Sequence, residues 1–256
     1  MRLSLKETIK IWLSNIYDLS VLRFVLKRRS VSSICLMYHD ITSEIVSTNR
    51  WTLPIKSFIN QISILENEGY KFVAPSEILL GSDYQCCITF DDACMGASLA
   101  FDFLLSREIP FTLFVAIDLL DKPGFLSSKY IKSLSISSLV TIGSHTNSHP
   151  ERLDMQSLAI QKEEIGGSKV SLESLTGQNI EFFSYPHGRF SAETILISKE
   201  CGYKYCFTSI LGGISQATNP RAIPRIEIWS RDTNRIFIQK IRGSWDWLNW
   251  FRSGVF

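Results

Sequence analysis

Two acidic residues, Asp91 and Asp92, close the apolar run 86–90 in "CCITFDDACMG" with no gap between them. Adjacent like charges at the end of a buried strand repel each other and lose hydration, so something has to offset them. The chain has only four histidines, His39, His145, His149 and His187. Each lies at or just past an apolar, strand-like run. "SHTNSHP" sets His145 and His149 four residues apart. If that segment makes one helical turn, both rings share a face, a common way to present two metal ligands. Two histidines and a carboxylate form a recurrent open metal site. A divalent cation there would offset the paired carboxylates, one ligating it and the other staying free as a base. Taken in isolation, the acidic pair reads equally as a helix N-cap followed by a solvated acid.

The elements that would position these groups alternate along the chain. "SICLMY" (33–38), "QCCITF" (85–90), "FTLFVAI" (111–117), "LVTIGSH" (139–145), "IEFFSYP" (180–186), "KYCFTSI" (204–210) and "IPRIEIW" (223–229) read as strands. Between them, apolar residues at helical spacing predict helices over 55–69, 97–109, 129–137, 156–175 and 192–203, and another from about 233. The 156–175 helix is expected to bend at Gly166 and Gly167. Strands and helices taking turns indicate an α/β fold with a parallel sheet, open or closed into a barrel. In either form, functional groups gather at the C-terminal ends of the strands. His39, Asp91 with Asp92, His145 and His187 all follow strand ends.

The bulk composition narrows the function. The 256 residues are 45% hydrophobic and 20% charged, a globular composition. A net charge of +2 does not suggest a nucleic-acid binder. No Gly-rich phosphate fingerprint is present. The six cysteines form no CxxC pair and read as buried, reduced thiols.

Residues 1–30 hold seven Lys/Arg against two Asp/Glu, a net +5 that leaves −3 for the remainder. Asp18 and Arg23 interrupt the apolar run well short of the ~18 residues of a membrane span. No small-residue cleavage site follows. The expectation is a basic amphipathic helix, lying on an anionic membrane surface or packed on the domain, in a protein of the cytoplasm or the inner membrane face. Residues 31–256 then form the main domain.

"ITFDDA" followed by "SHTNSHP" resembles the polysaccharide deacetylase (NodB-homology, carbohydrate esterase 4) family, whose motifs read TFDDG and H[ST]xxHP. "LMYHDI" and "FSYPHG" are similar to the branch with MYH and YPxG motifs, that of the poly-N-acetylglucosamine deacetylases. The resemblance spans roughly residues 33–240. It implies an irregular (β/α) barrel of about seven strands and metal-dependent removal of an acetyl group from a sugar. Matched to the motifs, Asp92, His145 and His149 would hold one divalent metal, most simply Zn2+. Asp91 would be the base and His39 the acid. Tyr185, Pro186 and His187 would contact substrate or its oxyanion, with the N–H of His187 as donor. The implied partner is an N-acetylated carbohydrate, in a polymer or a biosynthetic intermediate.

Two departures stand out. Ala93 replaces the motif glycine, and Ser184 falls where the family carries an arginine that pairs with the base. Arg225 could supply that charge from another strand. Both departures leave open a weakly active or inactive sugar-binding relative; a hydrolase of another C–N bond on the same scaffold is a further alternative. Trp245, Trp247 and Trp250 read either as a sugar-stacking platform or as a dock for the last helix.

Overall fold

A computed structural model describes residues 5–19, 33–45, 49–80 and 84–249. Its centre is an eight-stranded, all-parallel sheet. The strands are β1 (Ile34–Tyr38), β4 (Lys71–Phe72), β5 (Gln85–Phe90), β6 (Phe111–Val115), β7 (Val140–Ser144), β8 (Phe182–Ser184), β9 (Tyr205–Phe207) and β10 (Ile226–Glu227). Their order is β10-β1-β5-β6-β7-β8-β9, with β4 on the first residues of β5. Two short strands, β2 (Asp40–Thr42) and β3 (Thr52–Pro54), pair separately beside the rim. The segment 223–227 links the two edges. The Ile223 N–H donates to Cys206 O at 2.8 Å, and Ile226 and Glu227 pair with β1. The sheet thus curls into an irregular half-barrel with helices around it, the expected architecture.

The helices are α1 (Leu5–Leu19), α2 (Ile55–Asn67), α3 (Ser98–Ser106), α4 (Ser128–Leu134), α5 (Leu158–Lys162), α6 (Ser168–Thr176), α7 (Ala192–Glu200) and α8 (Asn234–Ile241). Four begin at a Ser or Thr whose side chain accepts an early helix N–H: Ser127, Ser157, Ser191 and Thr233. The predicted 156–175 helix is broken by a π turn, Glu163–Gly167, between α5 and α6. The π turn contains Gly166 and Gly167, the two glycines at which the sequence predicts a bend.

Strands β1, β5 and β6 are buried along their whole length except at Gln85, as a sheet covered on both faces requires. Phe90, Phe101 and Phe111 pack together, Phe101 stacking on Phe111 at 4.7 Å, and hold α3 against β5 and β6. Burying one such ring stabilises the fold by about 1.5–3 kcal/mol.

Helix α1 docks on the domain. Gln239 Nε2 donates to Asn15 Oδ1 at 2.8 Å, and Ile11 joins Leu211, Ile236 and Trp245. One face of the basic helix is thereby used by the protein itself, and the expected membrane contact gains no support from it. Among the described residues no helix is long and apolar enough to cross a membrane. Trp245 is buried and donates its indole N–H to Gln239 Oε1 at 3.3 Å. It serves the dock, not a sugar platform. The Trp247 side chain and Trp250 lie outside the described residues, as do residues 20–32 of the expected basic segment.

Candidate active site

Parallel register builds the site. Tyr38 stands opposite Phe90, Val115 opposite Ser144, and Ser144 opposite Phe183. The residues that follow, His39, Asp91 and His145, therefore leave the same rim of the barrel at the same level. The Asp91 N–H donates to Tyr38 O and that of His145 to Val115 O, so the strand pairing continues into the functional residues.

Three ligand atoms converge there. Asp92 Oδ1 lies 3.5 Å from His145 Nε2 and 3.4 Å from His149 Nε2. All three atoms lie within 4.8 Å of one another. Ligands about 2.0–2.1 Å from a tetrahedral zinc are about 3.3 Å apart, so the spacing fits the ion. Asp92 Oδ1 is buried with no hydrogen-bond partner, a cost that a cation would remove. His145 Nδ1 is 2.7 Å from Ser184 O. A carbonyl only accepts, so that nitrogen carries the proton and Nε2 keeps its lone pair for a metal.

The electrostatics favour the same division. Burial lowers His145 to about 3, and His149 moves the same way, so both rings are neutral at neutral pH. Burial raises Asp92 to about 6. Burial also opposes ionisation of Asp91, but the Arg225 charge, then His145 and the Arg225 hydrogen bonds, outweigh it. Asp91 is held well below the usual carboxylate range. One carboxylate is thus locked as an anion and its neighbour left wanting a counter-charge.

Arg225 is wholly buried. Its Nη1 and Nη2 donate to Asp91 Oδ1 and Oδ2, each at 2.7 Å. The other three N–H groups reach Thr208 O, Thr89 Oγ1 and Ser184 Oγ at 3.0, 3.1 and 2.7 Å. All five donors of the guanidinium are used. Ser184, noticed in the sequence only as a missing arginine, bridges the pair by also donating to Asp91 Oδ2.

His39 is half-buried, and its Nδ1 has no hydrogen-bond partner. A proton on this ring would favour the ionised form of both Asp91 and Asp92. Trp51, which the sequence did not single out, packs on His39 with ring centres 4.6 Å apart, and Arg50 lies over Trp51 at 4.7 Å. The loop before β3 carries both, and only the β2–β3 pairing brings it to the rim.

His187 stands 4.7 Å from His149, ring centre to ring centre, in the turn Pro186–Gly188. Tyr185 and Pro186 are buried. The Tyr185 hydroxyl reaches Arg221 O, and its ring packs on Phe183 and Phe190, so its side chain belongs to the core. Of that segment, His187 is the member at the site.

The backbone here is strained. Asp92, Ala93, Thr146, His149 and His187 all have positive φ, between 56° and 71°. The 145–149 segment is consequently a tight loop, not the helical turn that its spacing suggested. Two left-handed residues, rather than helical periodicity, bring the rings of His145 and His149 to 4.7 Å.

Comparisons with known proteins agree with this geometry. The family described as polysaccharide deacetylase matches residues 82–206. The Bacillus subtilis protein YxkH, which bears a polysaccharide deacetylase name, is 27% identical over 203 residues, covering 75% of this chain and 70% of its own. The Streptococcus pyogenes deacetylase PplD, solved with acetate, superposes with a TM-score of 0.73 at 25% identity, covering 82% of this chain and 98% of PplD. IcaB from Ammonifex degensii shares the fold, with a TM-score of 0.73 at 22% identity over 85% of this chain and 98% of its own. With its motifs on one barrel rim and these relatives, the chain resembles the polysaccharide deacetylases of carbohydrate esterase 4, and residues 82–206 match that family.

Proposed function

We propose that this protein is a metal-dependent N-deacetylase of an N-acetylated carbohydrate. The observation that carries the reading is the division of labour between two adjacent carboxylates. Asp92 Oδ1 points without a partner at two imidazole nitrogens, while Asp91 is held apart by Arg225. Asp92, His145 and His149 would hold one divalent ion. Zn2+ suits a donor set of two neutral imidazoles and one carboxylate. Bound there, the ion supplies Lewis acidity toward the acetyl carbonyl and lowers the pKa of a water.

The rest falls to the chain's own groups. Asp91, kept ionised, accepts the proton of the attacking water. The Arg225 fork fixes which lone pairs face the site. His39 donates a proton to the leaving nitrogen as the C–N bond breaks. An amine anion is a very poor leaving group, so an acid on this side favours an amide over an ester. The backbone N–H of His187 is the donor proposed for the developing oxyanion. The products are acetate and a free amino sugar. Acetate is the molecule found with PplD.

Elemental analysis with acetate release on N-acetylated oligosaccharides tests the reading. About one zinc per chain is expected in the wild type, and none in Asp92→Ala or His145→Ala. Zinc-free protein that takes up no metal on soaking would overturn it. Acetate release confined to O-acetyl substrates would overturn the N-deacetylase assignment.

A further inference from the structure

The loop that carries His145 and His149 has left-handed residues at Thr146 and His149, and the end of β6 and the segment after it hold it through His145 N–H and the carbonyls of Thr146 and Asn147. Its backbone N–H groups can be accounted for one by one. His145 donates to Val115 O, Thr146 to Ser144 Oγ at 3.3 Å, and His149 to Thr146 Oγ1 at 3.1 Å. The two in the middle, Asn147 and Ser148, both donate to one atom outside the loop. That atom is Glu164 Oε2, at 3.0 and 2.9 Å. The second carboxylate oxygen, Oε1, accepts from Ser148 Oγ at 2.6 Å.

Glu164 sits in the π turn Glu163–Gly167, and the turn is what aims it. In the same turn Glu163 O accepts from Asn147 Nδ2 at 3.0 Å. Gly167 lets the helix approach. A Cβ there would stand 2.9 Å from Asn147 Nδ2 and 3.0 Å from Glu163 Oε1. The same face is pinned to β7 by Ser168, whose Oγ is 2.7 Å from Ser144 Oγ. An uninterrupted helix would rotate the following side chains, which is why π turns recur at functional sites.

We infer that Glu164 is the positioning residue of the metal centre: its carboxylate clamps the 147–148 backbone and so holds the His145 and His149 nitrogens at ligating distance. Both oxygens are charge-assisted acceptors, and three donors converge on them. Without Glu164 the two central amides lose their partners, and the loop keeps only its bonds to Val115 O and to the Ile117 and Asp118 N–H groups and its side-chain contacts. The inference rests on the metal reading above. It assigns Glu164 a role toward the ligands, with no contact to substrate.

The test is zinc affinity, read by competition with a chromophoric chelator, in wild type, Glu164→Ala, Glu164→Gln and Ser148→Ala. Amide hydrogen exchange at residues 147 and 148 is followed in the metal-free proteins. Glu164→Ala is expected to weaken zinc binding by about 10–100-fold, the size of effect seen when a group that orients a metal ligand is removed. Both amides should then exchange faster. Glu164→Gln should fall between, since its amide keeps one acceptor oxygen. Ser148→Ala, which removes only the Oε1 contact, should show the smallest loss and serves if the alanine variant does not fold. Zinc affinity within about twofold of wild type in both Glu164 variants would overturn the inference. So would unchanged exchange at both amides, whatever the metal result. A wild type that binds no zinc would sink the metal reading itself, a separate outcome.

Discussion

Arg225 and Asp91 lie 134 positions apart in sequence and meet through two parallel hydrogen bonds of 2.7 Å inside the barrel. The pair is nearly inaccessible to water, with side chains 0% and 3% exposed. A guanidinium so placed would be costly alone, and so would the carboxylate. Together, with Thr89, Ser184 and Thr208 completing the donors, they form a satisfied unit beneath the rim. Arg225 thus sets the charge state of Asp91 and also closes the barrel, since it precedes the strand that joins β1.

Removing one partner should therefore cost far more than a surface ion pair does. Arg225→Met leaves Asp91 buried and unpaired, and is expected to destabilise the fold by about 3–5 kcal/mol. Arg225→Lys should recover only part of this, because a single ammonium cannot reproduce the fork. Urea unfolding of the metal-free proteins measures both. A Lys variant as stable as wild type would show that the bidentate geometry is immaterial.

The depressed carboxyl of Asp91 gives a sign for the acid limb of stability. The folded pKa lies below the unfolded value of about 3.9, so the contribution is fully present above that pH. It is lost as pH falls from about 4 toward the folded value, because the unfolded chain then binds the proton more readily. The metal-free double variant Asp91→Asn/Arg225→Met lacks the pair, and its stability should fall less between pH 4 and pH 2. Parallel curves for variant and wild type would contradict this.

Metal binding should carry its own pH dependence. His145 is neutral down to about pH 3, so Asp92, raised by burial to about 6, holds the proton that a metal must displace. Above pH 6 zinc affinity should be limited by neither group. Below it, protonation of Asp92 should lower affinity by at least about tenfold per pH unit, with at least one proton released per ion. Calorimetry in buffers of different ionisation enthalpy counts that proton. Affinity that stays flat from pH 7 to pH 5 would exclude Asp92 as the titrating ligand.

Ala93 has φ of 57° and is fully buried. A Cβ in the left-handed region costs about 1–2 kcal/mol, partly offset in glycine by the greater entropy of its unfolded chain. Ala93→Gly is accordingly expected to stabilise the protein by about 0.5–1 kcal/mol, read from a urea midpoint. A destabilised glycine variant would mean that the alanine methyl contributes more in packing than it costs in strain.

His39→Gln keeps a polar side chain against Trp51 but removes the acid. It should lower kcat for an N-acetyl substrate by about 10²–10⁴ while zinc content stays at the wild-type level. A loss of zinc in this variant would place His39 among the ligands instead.

Several features follow from the sequence alone. Its alternating apolar runs state an α/β protein with a parallel sheet, because covered parallel strands must be apolar throughout and the helices between them amphipathic. Its polar residues at strand ends mark the functional rim, since a parallel sheet directs every C-terminus to one side. "FDDA" and "SHTNSHP" supply the residue types of the proposed metal site. Ala93 already raises the question of a left-handed backbone.

Tertiary structure decided which groups meet. The sequence offers Arg225 only as a stand-in for the missing motif arginine; barrel closure is what brings it to Asp91. The four-residue spacing of His145 and His149 suggested a helical turn, whereas two left-handed residues, tied to neighbouring elements, set the actual loop. Trp51 came to His39 only through the pairing of β2 with β3, strands too short to leave a period in the sequence. Glu164 reads as one charge among several on a helix, and only the π turn aims it at the loop. Local pattern reports burial and backbone preference, which depend on near neighbours in the chain. Contacts between residues a hundred positions apart depend on how the sheet curls, and no window of sequence contains that.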